Sequence, residues 1–269
     1  MLSDISSADI EKAIRLDQLI LYYQPQMTAD GKSMVAVESL VRWSHPTRGI
    51  LGPQHFLGLA EGAGLIDTLG EWVLRRGCRD ALRWPGLDVS INVSPLQFLK
   101  PDFVARVEAI VRETGAPFEQ IELEIVETAF FENPRLAEIA LTALRALGFK
   151  IALDDFGTGY SSLAYLLRQP FDKVKIDKCF IDNIRSMRGA AIVHAVVALA
   201  RALGMKVTAE GVENADQQIL LRVAGCHCLQ GYLFSRPVPP EVIDELWARQ
   251  LARGAERPSQ AVAGARGIL

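Results

Sequence analysis

The 269-residue sequence predicts an α/β fold of the TIM-like (β/α)8 barrel type, with one antiparallel strand near its start. Apolar, strand-like runs alternate with helical patterns almost throughout. About eight such runs can be counted, which favours a barrel over the runner-up, a doubly wound sheet. Only about seven residues separate the first two runs, which is too few for a helical crossover. The first strand is therefore expected to run antiparallel to its neighbour.

The predicted strands are short apolar runs bounded by proline, glycine or polar residues. In chain order they lie at Leu19–Gln26, Met34–Val41, Asp88–Val93, Ile121–Val126, Phe149–Leu153, Phe171–Ile176, Lys206–Ala209 and Cys228–Phe234. The predicted helices carry apolar residues at helical spacing, and glycine follows several of them, as at a helix C-cap. They lie at Pro53–Ala63, Ile66–Arg83, Asp102–Thr114, Pro134–Leu147, Gly189–Leu203, Ala215–Val223 and Pro239–Leu251.

The composition sets broad limits on location and partners. A net charge of −3 gives no basic excess, so no DNA partner is expected. The four cysteines are too few and too unevenly placed for a disulfide framework, and no apolar run reaches the roughly 18 residues of a membrane span. We therefore expect a cytoplasmic protein without a membrane segment. We expect residues 1–18 to form an N-terminal linker helix, residues 19–252 the folded domain and residues 253–269 a disordered tail.

The stretch Asp154–Ser162 reads D-D-F-G-T-G-Y-S-S and follows the fifth predicted strand. Adjacent residues on a regular strand point to opposite faces, so Asp154 and Asp155 can converge on one ion only if the chain turns sharply there. Gly157 and Gly159 could supply such a turn. By itself, the stretch fits a solvated turn with an aspartate helix cap equally well.

Polar residues also stand at the ends of most other predicted strands. They are Glu38, Asn92, Glu124, Glu127, Lys175, Asp177, Glu210, Glu213 and Gln230. Each has an ordinary explanation alone, but so many acids on one barrel rim would repel one another unless cations held them. Carboxylates and an amide, without His or Cys, suit Mg²⁺ or Mn²⁺ better than Zn²⁺. A pair of such ions can catalyse in-line displacement at phosphorus.

Eight sequence motifs occur in an order that identifies a family. They are Y-Q-P at Tyr23–Pro25, E-S-L-V-R-W at Glu38–Trp43, N-V-S at Asn92–Ser94, E-I-V-E-T at Glu124–Thr128, the motif at Asp154–Ser162, V-K-I-D at Val174–Asp177, A-E-G-V-E at Ala209–Glu213 and Q-G-Y-L-F-S-R-P at Gln230–Pro237. From about Leu19 to Leu251, the chain resembles the EAL-domain phosphodiesterases that hydrolyse cyclic di-GMP. One departure is Ser39, where the family usually has alanine, and we expect it to cost little activity.

The resemblance implies a role for each rim residue. The implied metal ligands are Glu38, Asn92, Glu124 and Asp154 for one ion, with Asp154 bridging to a second ion near Asp155 and Glu210. Lys175 would orient the attacking water, with Glu213 and Gln230 as further ligands of metal-bound water. Glu127 would brace the loop Phe156–Ser162. The implied substrate contacts are Gln24, Leu40, Arg42, Gln230 and Pro237.

The resemblance further implies a Mg²⁺- or Mn²⁺-dependent enzyme that opens cyclic di-GMP to linear pGpG. The alternative from another class is a catalytically silent receptor that binds cyclic di-GMP and signals by conformation. A third, weaker alternative is a metal-dependent barrel enzyme with another substrate. The family also suggests a homodimer formed through the side of the barrel that carries the loop Phe156–Ser162.

Overall fold

A closed barrel forms the centre of the protein. The computed structural model describes residues 5–157, 166, 169 and 171–255. Within them, nine strands form one sheet in the order β1-β9-β8-β7-β6-β5-β4-β2-β3, and β1 also pairs with β2. That pairing closes eight strands into a barrel and leaves β3 outside it. The strands are β1 Leu19–Thr28, β2 Met34–His45, β3 Gly49–Leu51, β4 Asp88–Val93, β5 Ile121–Val126, β6 Lys150–Phe156, β7 Lys173–Ile176, β8 Lys206–Ala209 and β9 Cys228–Gln230.

Helices surround the barrel, and most of them follow a strand. They are α1 Ser7–Arg15, α2 Leu57–Gly62, α3 Ile66–Ala81, α4 Pro95–Phe98, α5 Phe103–Thr114, α6 Ala129–Glu132, α7 Pro134–Leu147, α8 Lys178–Asp182, α9 Met187–Ala202, α10 Ala215–Ala224 and α11 Pro240–Ala255. Short 3-10 turns lie at Pro53–His55 and Phe118–Gln120. In the described part of the chain, no helix is long and apolar enough to cross a membrane.

The topology confirms the predicted barrel and excludes the doubly wound sheet. Strand β1 is antiparallel to both of its neighbours, β2 and β9, whereas the pairings from β2 through β4 to β9 are all parallel. The early antiparallel strand is thus confirmed. Its cause is the short connection between β1 and β2, which can form a hairpin but not a crossover.

Several element boundaries differ from the sequence prediction. Strand β2 continues to His45 because its far end pairs with β3, a strand that the sequence analysis missed. Strand β9 ends at Gln230, since the chain then turns through hydrogen bonds to the Gly231 carbonyl. Strand β6 runs through both aspartates of the D-D-F-G motif instead of ending before them. Helix α11 continues to Ala255, so residues 253–255 belong to it; the rest of the predicted tail lies outside the described residues.

The N-terminal helix α1 packs against helices α2 and α3. A capping box between Ser6 and Asp9 begins it, and the side chains of Ile10 and Ala13 are fully buried in the core. Reciprocal capping of this kind satisfies backbone donors that the helix leaves open. The helix therefore contributes to the same hydrophobic core as the strands it precedes, and its role as a linker stays a prediction.

Candidate active site

One polar side chain from each of seven barrel strands, together with Glu210 just beyond β8, lies near the carboxyl ends of the parallel strands. These residues, called the rim ring below, are Gln24, Glu38, Asn92, Glu124, Asp154, Lys175, Glu210 and Gln230. Direct contacts connect all eight of them. The period-two alternation of a strand explains why one residue of each strand points inward at this level.

The ammonium group of Lys175 lies at the centre of the rim ring. Its Nζ is 2.6 Å from Glu124 Oε2, 2.6 Å from Glu210 Oε1, 3.3 Å from Asp154 Oδ1 and 3.7 Å from Glu38 Oε2. The lysine side chain is only 1% exposed. Four carboxylates therefore share one buried cation.

Amide side chains hold Glu38 in place on the other side of the ring. Asn92 Nδ2 donates to Glu38 Oε1 at 2.8 Å, and Gln230 Nε2 donates to Glu38 Oε2 at 2.5 Å. The same Gln230 amide donates to Gln24 Oε1 at 3.1 Å. Gln24 in turn donates to the Ser235 carbonyl at 3.1 Å, which ties the chain after β9 to the ring. Both oxygens of Glu38 are thus fixed before any ligand binds.

The charges of the ring shift its pKa values in opposite directions. Burial opposes ionisation of Lys175, but the surrounding carboxylates, Asp154 and Glu124 foremost, raise its pKa well above the usual value. Burial also opposes ionisation of Glu38, yet Lys175 and the two amide donors hold its pKa below normal. Burial, together with neighbouring carboxylates, raises the pKa of Glu124 well above normal and that of Glu210 to about 8. The four carboxylates of the ring therefore carry more negative charge than the single lysine can neutralise.

The donor set of the ring fits hard divalent cations. It consists of carboxylate and amide oxygens, which Mg²⁺ and Mn²⁺ prefer. In the described part of the chain, Glu124 Oε1 is buried without a hydrogen-bond partner, so an oxygen is available inside the ring. Among the same residues, no group of three or more acidic, histidine or cysteine side chains is arranged to hold an ion as it stands. Lys175 lies among the acids, so we infer that side chains must adjust around an entering ion.

A backbone bulge contains both aspartates of the D-D-F-G motif. Asp155 has a φ of 53°, in the left-handed region that non-glycine residues rarely adopt, and the β6–β7 register shifts between Leu153 and Phe156. The chain turns at Asp155 and again at Gly157, one of the two glycines that the sequence suggested, whose φ is 90°; Gly159 lies outside the described residues. Burial, then Asp154 and Asp177, raise the pKa of Asp155. Backbone strain at such a residue is commonly found at functional sites.

Glu127 is placed where it can hold the start of the loop Phe156–Ser162. The side chain is buried, and its Oε2 accepts a hydrogen bond from the Gly157 amide at 3.4 Å. Residues 158–162 lie outside the described residues, as does the dimer contact predicted for them. The structure therefore shows the first contact of the predicted brace.

The residues predicted to contact substrate lie along one edge of the ring. Leu40 and Arg42 follow Glu38 at alternate positions of β2, and the Arg42 guanidinium lies 6.0 Å from the centre of the Tyr22 ring. Pro237 precedes Val238, whose backbone pairs with β1. A cavity of about 410 Å³ between β2, β4, α2 and α3 adjoins Glu38, a size typical of small-molecule sites.

Glu213 is a predicted catalytic residue that does not join the ring. Its carboxylate lies 2.5 Å from Lys178 Nζ on α8, and its side chain is half exposed. Because β8 ends at Ala209 and the chain then turns at Gly211, Glu213 faces Lys178 at the start of α8 instead of the barrel interior. A role as a ligand of metal-bound water would require a change in this ion pair.

A second polar layer, which the sequence analysis missed, lies below the rim ring. It contains Glu122 and Lys173, whose side chains are 2% and 7% exposed and meet at 2.7 Å. These residues precede Glu124 and Lys175 by two positions on β5 and β7. The alternation of strand faces is the signal that could have identified them, because i and i+2 share a face.

Fold and site together define a closed α/β barrel protein with an acidic centre at the carboxyl ends of its strands. Residues 7–237 match the family model of the EAL domain. The chain therefore belongs to the EAL domain family, which confirms the resemblance seen in its sequence motifs.

Curated relatives include two proteins named as phosphodiesterases. The cyclic di-GMP phosphodiesterase NbdA of Pseudomonas aeruginosa is 44% identical over 243 residues, which cover 88% of this chain and 31% of the relative. The cyclic di-GMP phosphodiesterase PdeR of Escherichia coli is 36% identical over 250 residues, which cover 91% of this chain and 38% of the relative. The chain thus spans about a third of the length of these relatives.

A solved structure matches nearly end to end. The PaMucR phosphodiesterase in complex with c-di-GMP is 40% identical in sequence and superposes with a TM-score of 0.84. The match covers 88% of this chain and 98% of the other. The similarity therefore extends over the whole barrel.

Proposed function

We propose that this domain is a divalent-metal-dependent phosphodiesterase that opens cyclic di-GMP to linear pGpG. The observation that carries the proposal is the ring of four carboxylates around Lys175, completed by the amides that fix Glu38. The names of the NbdA and PdeR relatives and the c-di-GMP complex of the PaMucR phosphodiesterase support the choice of substrate.

The ring residues would hold the metal ions. Glu38, Asn92, Glu124 and Asp154 would bind one ion, and Asp154, Asp155 and Glu210 a second. Bound Mg²⁺ or Mn²⁺ supplies acidification of a water and neutralisation of charge at the phosphodiester. The shortage of positive charge in the ring favours both ions, because each would relieve repulsion between buried carboxylates.

The chain's own residues would bind and orient the reactants. Lys175 would orient the attacking water and stabilise charge that develops on the phosphoryl oxygens while the bond to the 3′ oxygen breaks. Arg42 offers a guanidinium to a phosphate. The remaining substrate contacts would come from Gln24, Leu40 and Pro237, with Gln230 holding both Gln24 and Glu38.

Glu127 would couple the loop to the second metal site. Its bond to the Gly157 amide holds the backbone two residues beyond Asp155, so a movement of the loop would change the direction of that carboxylate. We further propose that the domain forms a homodimer through this side of the barrel, so that dimer formation would adjust the loop.

A product assay tests the proposed reaction and separates it from the receptor alternative. Purified protein is incubated with cyclic di-GMP and Mg²⁺ or Mn²⁺, and pGpG is quantified by chromatography. We expect turnover that Glu38→Gln abolishes and that Glu119→Gln, at an exposed position outside the site, leaves unchanged. Binding of cyclic di-GMP without any pGpG would refute the enzyme and identify a receptor.

A further inference from the structure

Two side-chain bridges, one above the other, cross the barrel interior between β5 and β7. The upper bridge joins Lys175 to Glu124 at 2.6 Å, and the lower bridge joins Lys173 to Glu122 at 2.7 Å. Strand β6 lies between β5 and β7 in the sheet, so no backbone hydrogen bonds connect these two strands directly. The side chains must span β6, and its inward residue at the lower level, Ala152, is small enough to leave room.

The lower bridge is held by further hydrogen bonds. Ser90 Oγ donates to Glu122 Oε1 at 2.7 Å, and the same oxygen accepts from Lys173. Lys173 Nζ also donates to Gln26 Oε1 at 3.2 Å, and Gln26 Nε2 donates to Ser90 Oγ at 3.4 Å. The resulting circuit joins β1, β4, β5 and β7. Each of these strands also carries a member of the rim ring two residues away.

Stability alone does not explain an ion pair at this depth. Burying two charges costs about as much as their attraction returns, and a well-packed apolar pair of similar volume is often equally stable or more so. Barrel interiors are usually filled with branched apolar side chains. The lower layer instead combines a fixed ion pair with small neighbours, namely Ala36, Ala152, Thr208 and Cys228.

We propose that Glu122 and Lys173 are positioning residues for the metal site: their bridge sets the spacing of β5 and β7, and thereby the places of Glu124 and Lys175. This inference rests on the proposed phosphodiesterase function. Loosening the lower bridge would let the two strands separate and would misalign the upper pair. Binding of divalent cations and the chemical step would suffer, whereas Arg42 and other substrate contacts on β2 would be preserved.

The test replaces the bridge by an apolar pair. In the Glu122→Leu/Lys173→Met variant we expect a folded protein, an affinity for Mn²⁺ alone that is weaker by about tenfold in electron paramagnetic resonance titrations, and a kcat lower by about tenfold or more. KM for cyclic di-GMP should stay within about twofold, because the positioning role does not involve the substrate contacts.

The matched control is the partly exposed pair of Lys150 and Asp88. It has the same chemistry, with Nζ 2.6 Å from Oδ1, and it likewise spans one strand, from β6 to β4. Its side chains are 38% and 28% exposed, and it lies at the opposite ends of the strands from the rim ring. Asp88→Asn/Lys150→Met should keep wild-type Mn²⁺ affinity and kcat.

Wild-type Mn²⁺ affinity and kcat in the apolar variant would overturn the positioning role. If that variant fails to fold, Glu122→Gln tests the positioning role instead. This substitution keeps the size of the side chain and its hydrogen bond with Ser90 but removes the negative charge. We expect it to weaken Mn²⁺ binding about tenfold, at the lower end of the range for outer-shell substitutions, and unchanged binding would overturn the positioning role. A wild-type protein that binds Mn²⁺ but does not hydrolyse cyclic di-GMP would refute the proposed function alone, since the Mn²⁺ titrations still test the bridge.

Discussion

The substitution Lys175→Met removes the one cation of the rim ring and keeps nearly the same side-chain length. Four carboxylates lie within 4 Å of the lysine Nζ, from 2.6 to 3.7 Å, and all would lose their counter-charge. Removing one partner of a buried ion pair costs about 3 to 5 kcal/mol, because the remaining charge is left buried. For a domain of this size, that loss corresponds to a fall in Tm of roughly 6 to 20 °C.

Thermal unfolding in EDTA at pH 8, followed by circular dichroism, measures this loss. Adding Mn²⁺ should raise the Tm of Lys175→Met more than that of the wild type, because the ion replaces the missing charge. Hydrolysis of cyclic di-GMP should fall by at least about 100-fold in kcat even with saturating Mn²⁺, as expected for loss of a charge that stabilises the transition state. Lys150→Met, at a pair that water reaches, should shift Tm much less, since solvent-accessible pairs contribute about 0 to 1 kcal/mol.

Two results would refute this reasoning. An unchanged Tm of Lys175→Met in EDTA at pH 8 would show that the ring carboxylates do not depend on the lysine. Wild-type kcat in the same variant would show that the ammonium has no part in the reaction.

Three further predictions concern other residues. In EDTA, the free energy of unfolding should fall as pH rises from about 4.5 to 8. The cause is Glu210, whose pKa is raised from 4.5 in the unfolded chain to about 8 in the folded protein, so that its contribution to stability is complete below pH 4.5 and lost above pH 8. Urea unfolding at several pH values measures this fall, and the same series with Mg²⁺ is the comparison. Glu127→Ala should lower kcat by about tenfold or more, and Glu127→Gln, which can still accept the Gly157 amide hydrogen, should retain most activity in steady-state assays. Ser39→Ala should leave kcat unchanged and cost about 1 kcal/mol in urea unfolding, since the hydroxyl donates at 2.9 Å to a backbone carbonyl of β4 and does not face the ring.

The barrel and its early antiparallel strand could be predicted because they depend on local patterns. The apolar runs, the helical spacing between them and the length of each connection are all properties of short segments. The predicted ends of strands were less accurate where contacts with distant parts of the chain determine them. The end of β2 at His45 depends on β3, and the end of β9 at Gln230 depends on the turn at Gly231.

The candidate site was predictable as a set of residues but not as a geometry. The strand-end acids and Lys175 are visible in the sequence, and the structure brings eight residues into one ring. The sequence did not show that Glu213 pairs with Lys178 instead of entering the ring. That outcome depends on how the chain turns after β8, which no local pattern of side chains reveals.

The sequence by itself determined which chemical groups are available: a rim of carboxylates and amides, one lysine among them, and a loop rich in glycine. Tertiary structure alone decided how they meet. Closure of the sheet places Lys175 among acids from β2, β5 and β6 and from the residue just beyond β8, and the bulge at Asp155 turns its backbone away from regular strand geometry. The reason is physical: charges distant in sequence share one small buried volume only after the barrel closes, and there their mutual energies are far larger than in water.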